Sequence, residues 1–543
     1  LWRTRQSAHK RPRADSILPD APPSLATKLH WGVLAFVPSS LLLGLTNFIS
    51  TDIASVPLLW IVPLTIYLLS FVVVFSRRGI KAHPVMVAAQ PMVLLPFIAF
   101  SFINPAVLPY WVDLALHSLA FFLAVMVCHG ELAKSRPHAR YLTTYYLIMS
   151  FAGMLGGMFN TFVAPFLFNS VYEYPIMIAA ALLLRPTLEQ RDFKKWLQWG
   201  MDTAFPLGLL TAGLCLYAAV DNIGDLIDII GTALILLVGL TYAFRRRPVN
   251  LALFTGVLLF FTFGLHTLVS NIVFQERTFF GVLSVRNTVI AEADGNFERA
   301  HELFHGTTKH GAQRLSAGHR TDPLTYYSRP GPIGQLFTEF DAGNANWHVG
   351  IVGLGAGALA CYAKPGQSWD FFEIDPAVVQ IARNPAYFTY LKECAPHARM
   401  MMGDARLSIA REPEKHYDLI VMDAFSSDAV PTHLLTEEAL ALYFTRLKEN
   451  GLLAFHITNR HLVLKKVLAD HSKRLNLPGL LQEFKPKTPM PLVVDTDWVV
   501  LAKSEAPLQR LRLSRLGNWQ KLPLVFDMKP WTDDFTNILN VWK

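Results

Sequence analysis

Cysteine and charge are both scarce in this chain. Four of its 543 residues are cysteine (Cys128, Cys215, Cys361 and Cys394), and none form a Cys-x-x-Cys pair. That spacing resembles neither a zinc site nor a disulfide framework. Only 17% of residues are charged and 52% are hydrophobic, which is too apolar for a soluble enzyme of this length. The imbalance is uneven. Residues 1–274 carry 19 Lys+Arg and 12 Asp+Glu, whereas residues 275–543 carry 30 and 29. The net charge of +8 therefore belongs mostly to the first half. The second half lacks the basic patch that a nucleic-acid partner would require. No cleavable signal peptide is evident. Residues 1–28 are polar and basic (Arg3, Arg5, Lys10, Arg11, Arg13) and read as a disordered cytoplasmic tail.

What the first half has in abundance is long apolar runs. A membrane-spanning helix needs about 20 mostly apolar residues. Nine segments qualify: 29–49, 55–76, 84–104, 107–129, 141–166, 170–185, 203–220, 225–244 and 249–272, the sixth being short and carrying Glu173. Lys and Arg collect in alternate loops, at Arg77-Arg78-Lys81, Lys134-Arg136-Arg140, Arg185-Arg191-Lys194-Lys195 and Arg245-Arg246-Arg247. The turns near Thr51, Asn104, Asn169 and Asn222 have none. The positive-inside rule puts the first set and the N-terminal tail in the cytoplasm. An odd number of spans then delivers the second half to the extracytoplasmic side. Lipid is an expected partner of this 29–274 unit. Asn47, Asp52, Asp113, His117 and Glu173 lie near the uncharged loop ends, with Asp113 and His117 on one helix face at i, i+4. Gly153, Gly156 and Gly157 suggest a close helix-packing face.

The second half reads as α/β. Residues 278–285 and 287–291 carry strand signals, with a turn at Asp294-Gly295, and 275–345 is expected to be a small β-rich subdomain. From 346 to 543 the expectation is a Rossmann-like domain of the class I methyltransferase type. An apolar strand at 349–352 runs into Gly353, Gly355 and Gly357, and a second strand at 369–374 carries Glu373 near its end. Glycines there let backbone approach a nucleoside, and the following acid accepts hydrogen bonds from its ribose. Further strands are expected at 399–402, 417–422 and 451–457, with helices at 357–363, 376–383, 405–410 and 436–447. Ligands bind beyond the carboxyl ends of such strands, where Glu373, Asp375, Asp404 and Asp423 fall. Asp423, then a serine-containing loop and Asp428, could take a proton from an attacking amine. His305 and His310 are five apart, each before a glycine. No third ligand is identifiable, so they read as turn or substrate-pocket residues and no metal is expected.

In these pieces the chain resembles the spermidine synthase (polyamine aminopropyltransferase) family. It resembles still more closely bacterial multi-span membrane proteins fused to a spermidine-synthase-like domain. The residues that carry the resemblance are 349–357, 372–375, 403–405 and 418–428, with Gly311-Ala-Gln313 and Tyr326 upstream. The resemblance implies a multi-pass protein of the bacterial cytoplasmic membrane, using decarboxylated S-adenosylmethionine to aminopropylate an amine or polyamine, and a possible homodimer. It implies that Gly353, Gly355, Gly357, Glu373, Asp375, Asp404 and Gln313 bind cofactor. Asp423, Asp428 and Tyr326 would be catalytic, and Tyr327, His305, His310, Asp533 and Asp534 would face substrate. The chain departs from the family in two places. Asp423 and Asp428 are five apart where the family has three, and Tyr326-Tyr327-Ser328 replaces Tyr-His-Glu or Tyr-Gln-Glu. A diamine needs an acid at each end of its tunnel, and one is missing unless Asp322, Asp495, Asp497, Asp533 or Asp534 supplies it. Three other readings fit the same residues: an S-adenosylmethionine-dependent methyltransferase, cofactor-independent chemistry on an extracytoplasmic amine, and a transporter or scaffold with a degenerate enzyme domain.

Overall fold

The computed structural model describes residues 22–49, 59–101, 110–186, 208, 211, 223–291, 296–340, 346–424, 431–486, 490–524 and 528–543. Asp52, Asp294, Asp428 and most of the expected span at 203–220 lie outside them. The first half is helical. Leu25–Phe48, Lys81–Ala99, Trp111–Lys134 and Ala139–Leu167 are long and apolar enough to cross a membrane. Ile61–Val74, Glu173–Leu183, Ala233–Ala243 and Pro248–Phe263 are apolar but shorter. Ser24 opens the first helix by accepting from the Thr27 amide at 3.1 Å, satisfying one of its free donors. Its buried face (Leu34, Leu41, Leu45) joins Phe121, Ala124 and Ile178 in one apolar core. At Gly156 a Cβ would lie 2.5 Å from the Phe36 carbonyl oxygen, so only glycine lets these two helices approach so closely.

The helix Pro248–Ser270 ends at Asn271, whose left-handed backbone (φ 47°) turns the chain directly into a strand. Four antiparallel strands follow in sequence order: β1 (Ile272–Thr278), β2 (Gly281–Ala291), β3 (Phe297–His305) and β4 (Thr308–Arg314). The expected strand at 278–285 is strand from 281 onward, as part of β2, while its first residues turn the β1–β2 hairpin. Phe279 and Phe280 form its turn, because Gly281 (φ 138°) supplies a backbone that other residues rarely adopt. Apolar residues in a tight turn carry no turn signature, and Phe279 is 97% exposed.

An eight-stranded sheet forms the rest. Its strands are β5 (His348–Val352), β6 (Ser368–Glu373), β7 (Arg399–Met402), β8 (Tyr417–Met422), β9 (Leu447–His456), β10 (Gly479–Phe484), β11 (Thr496–Ala502) and β12 (Gln520–Lys521). The spatial order is β12-β10-β11-β9-β8-β5-β6-β7. The five strands β7-β6-β5-β8-β9 are parallel and the remaining three pair antiparallel on one flank. The central strands are apolar throughout because helices cover both faces. The expected helix at 357–363 is a single 3-10 turn, Ala358–Tyr362. Cys361 in that turn is joined to Cys394 by a disulfide that the sparse cysteines gave no reason to expect (Cα–Cα 4.8 Å). The partners are 33 residues apart, and only the return of the Tyr390–Cys394 helix brings them together.

That bridge leads to one stability prediction. It closes a 33-residue loop, so reducing it, or substituting Cys394→Ser, should cost about 3–4 kcal/mol by the chain-entropy argument. Thermal unfolding of the full chain in detergent, with and without reductant, reads this directly. An unchanged midpoint would count against it.

Candidate active site

The carboxyl ends of β5, β6 and β8 surround a cavity of ≈ 260 Å³. Its floor is the turn after β5, where three glycines take positive φ: Gly353 (93°), Gly355 (53°) and Gly357 (85°). At Gly353 a Cβ would lie 2.2 Å from the Asp423 carbonyl oxygen, and at Gly355 it would lie 2.6 Å from that of His310. Neighbouring backbone thus fills the space that side chains would occupy, leaving the turn flat beneath the cavity.

Glu373 ends β6 and is buried beside this turn. Its Oε2 accepts from the Leu354 amide (3.0 Å) and its Oε1 from those of Ile374 (2.8 Å) and Asp375 (3.0 Å). Burial pushes its pKa up, partly offset by those three donors. Asp375 caps the helix Pro376–Arg383 through the Ala377 amide (3.0 Å) and accepts from the Thr278 hydroxyl (2.7 Å). Asp404 caps Ala405–Arg411 through the Leu407 amide (2.9 Å) and lies 3.0 Å from His433 Nε2. All three acids line the cavity.

Asp423, at the end of β8, closes the other side. Its Oδ2 accepts from the Tyr327 hydroxyl, and its Oδ1 is 2.6 Å from His456 Nδ1. The other ring nitrogen, Nε2, is 2.8 Å from Thr458 Oγ1. The imidazole lies between Tyr326 (centroids 4.4 Å, 20°) and Trp498 (5.0 Å, 29°). Burial first, and then the adjacent Asp423 charge, push the Tyr327 phenol well above its ordinary range. Tyr327 is therefore a fixed donor to the carboxylate. His305 and His310 also line the cavity. His305 Nε2 is 2.8 Å from the Phe280 carbonyl oxygen. Burial brings the His310 pKa down to about 3, so this ring is neutral at physiological pH. Its Nε2 is buried without a hydrogen-bond partner among the described residues, as expected of a group that meets a ligand.

The cavity thus gathers Gly353, Gly355, Glu373, Asp375, Asp404, Asp423, Tyr327, His305 and His310. Several other expected site residues stand apart from it. Gln313 is spent on the scaffold, its amide holding the Thr389 backbone N–H (2.8 Å), the Thr389 hydroxyl (2.9 Å) and the Arg320 carbonyl (2.8 Å). Tyr326 meets His456 rather than the carboxylate, because the 3-10 turn Thr325–Tyr327 points Tyr327 at Asp423. Gly357 packs on Leu391. Asp533 is taken by Arg406 in a two-pronged pair (2.6 and 2.7 Å), and neither it nor Asp534 lines the cavity. Asp428 lies outside the described residues. His456 was missed by the sequence, although it ends the fifth parallel strand just as Asp423 ends the fourth.

A grouping with metal-ligand geometry, Asp370, Glu412 and His416, sits at the other end of the sheet. The Arg399 guanidinium already bridges its two carboxylates at 2.8 Å each.

No protein-family model matches the chain. It is 38% identical over 108 residues to a polyamine aminopropyltransferase of Vibrio vulnificus, a match taking in 19% of this chain and 35% of that protein. Over that stretch the chain is similar to an aminopropyltransferase. The chain spans about a third of the length of the curated relative it matches. Among solved structures, a probable spermidine synthase from Corynebacterium glutamicum aligns at 15% identity over 46% of this chain and 90% of that one, TM-score 0.34. A spermidine synthase from Thermotoga maritima aligns at 13% identity over 49% and 82%, TM-score 0.30.

Proposed function

We propose that this chain is a membrane-anchored, spermidine-synthase-like enzyme that transfers an aminopropyl group from decarboxylated S-adenosylmethionine to an amine. The observation that carries this reading is Asp423. It is a carboxylate held by Tyr327 and His456 at one wall of a cavity whose floor and far wall are a glycine turn and Glu373. The local likeness to a polyamine aminopropyltransferase supports it.

The residues suit such a donor. Glu373 would accept from the ribose hydroxyls, the Gly353–Gly355 backbone would lie against the nucleoside, and Asp404 would sit on the adenine side. His310 Nε2 offers one further polar contact. No Lys or Arg lines the cavity among the described residues. That favours a decarboxylated donor over S-adenosylmethionine, whose carboxylate would want a cationic partner. When bound, the sulfonium supplies an activated carbon. Asp423 would orient the attacking amine and take its proton, with Tyr327 and His456 fixing both carboxylate oxygens. The neutral His310 imidazole adds no charge against a cationic ligand. Orientation supplies most of the acceleration in such an arrangement.

With nine spans the alternating loop charges support an extracytoplasmic domain, and a disulfide between Cys361 and Cys394 accords with an oxidising compartment. Accessibility labelling of a cysteine introduced at Lys309 in intact cells tests this. Labelling by an impermeant reagent supports the outside placement, and protection overturns it.

Binding of the nucleoside should fall on acidification. Ionised Glu373 would accept ribose hydrogen bonds more strongly than the protonated acid does, and burial raises its pKa. Affinity should therefore drop at a pH above the ordinary carboxylate range of about 4. Calorimetry of the full chain against decarboxylated S-adenosylmethionine should show this drop, and Glu373→Gln should bind more weakly with a flatter profile. The transfer assay itself, amine plus donor with Asp423→Asn as control, tests the reaction. Product formation insensitive to that substitution would overturn it.

A further inference from the structure

β1 ties the cavity to the end of the helical bundle. A single residue, Asn271, joins the last apolar helix to β1. Near the far end of β1, Arg277 reaches back to the start of the helix Glu173–Leu183. Its Nη1 and Nη2 meet the two Glu173 oxygens at 2.9 and 2.8 Å, and Nη1 also donates to the Ser170 carbonyl at 3.0 Å. The pair is buried, with side chains 8% and 0% exposed. The next residue, Thr278, donates to Asp375 of the cavity at 2.7 Å, and Phe280 lines it. Two consecutive residues therefore connect a helix terminus of the bundle to the cavity wall.

The surface at this junction is apolar where solvent-facing residues are normally polar. Phe279, in the turn between Thr278 and Phe280, is 97% exposed, and Phe166, four residues before Ser170, is 90% exposed. Ile374, which lines the cavity, is 47% exposed. Rings left in the open beside the end of a membrane bundle are placed to enter the bilayer interface. The cavity itself is walled in part by Leu283, Leu303, Val378 and Leu434. Of its acids, Glu373 is engaged by three backbone amides, Asp375 by the Ala377 amide and Thr278, and Asp404 by the Leu407 amide and His433, which leaves Asp423 for an amine. A short diamine would bring a second ammonium with no uncommitted acid to meet it among the described residues.

We infer that the acceptor is a membrane amphiphile with a primary-amine head, presented to Asp423 from the bilayer across the Phe279 turn. This rests on the aminopropyl-transfer reading above and names its substrate class. The amine lone pair forms the new C–N bond, the propyl C–S bond breaks with its electron pair retained by sulfur, and the displaced amine proton passes to Asp423. The products are an N-aminopropyl amphiphile and a neutral thioether nucleoside.

The test uses the full chain reconstituted in phosphatidylcholine vesicles, with or without phosphatidylethanolamine, and decarboxylated S-adenosylmethionine as donor. Mass spectrometry reads addition of one aminopropyl unit to the lipid, and parallel reactions offer putrescine or n-butylamine. The expected result is modification of the phosphatidylethanolamine in preference to putrescine. Phe279→Asp should lower the lipid reaction at least about tenfold, the loss of one buried ring, while leaving the n-butylamine reaction unchanged. Putrescine modified with the lipid untouched would overturn the inference and leave aminopropyl transfer standing. So would a Phe279→Asp protein that splits a dimer without altering lipid modification, since the turn would then be a subunit contact. Failure of every amine, with the nucleoside bound, would instead overturn the transfer reading itself.

Discussion

Asp423→Asn lowers kcat/KM for the amine at least about a hundredfold and leaves nucleoside affinity within about twofold. A positioned general base contributes roughly 10²–10⁴ in rate. The amide can still accept from Tyr327 but cannot take a proton. Among the described residues, Glu373 and the glycine turn, the proposed nucleoside side, have no hydrogen bond to the Asp423 side chain, so binding there should be spared. His456→Gln separates the roles further. Its Nδ1 positions Asp423 and does not line the cavity. Its loss should reduce kcat more than it raises KM. An unchanged kcat with reduced yield of folded protein would show that the ring only fills space.

The other large effect belongs to Glu173 and Arg277. Both are buried, and each carries the counter-charge of the other. Removing one partner of such a pair strands a charge and costs about 3–5 kcal/mol, whereas removing both is often nearly neutral. Glu173→Gln and Arg277→Met should each destabilise the full chain by that amount. The double variant should recover most of the loss. Unfolding in detergent, followed through the four variants as a cycle, measures the coupling. Additive losses would mean that the two side chains do not act as a pair.

Glu173 also illustrates what the sequence could and could not disclose. On its own it only weakened an apolar segment, because its partner lies 104 residues further on in a different kind of structure. The acids at strand ends were legible. Glu373, Asp404 and Asp423 follow apolar runs at positions where an open parallel sheet exposes its ligand-binding edge, and that placement needs no long-range contact. His456 obeys the same rule, but the strand expected at 451–457 puts it inside the strand rather than at its end. Gln313 was assigned by resemblance alone, and the fold uses it to hold Thr389. The choice between Tyr326 and Tyr327 turned on a one-residue difference in facing, set by the left-handed Thr325 (φ 59°), which composition cannot foretell. The antiparallel flank of the sheet and the Cys361–Cys394 bridge likewise depend on segments meeting late in the chain.

The sandwich around His456 has a further consequence. A ring clamped by Tyr326 and Trp498 cannot swing, so Nδ1 stays on Asp423 and Nε2 stays on Thr458. Thr458 in turn lies 3.2 Å from Thr496. The Asp423 carboxylate is therefore locked at one angle in the cavity wall. Any guest must come to that angle, because the clamp leaves the acid no freedom to follow a misplaced one.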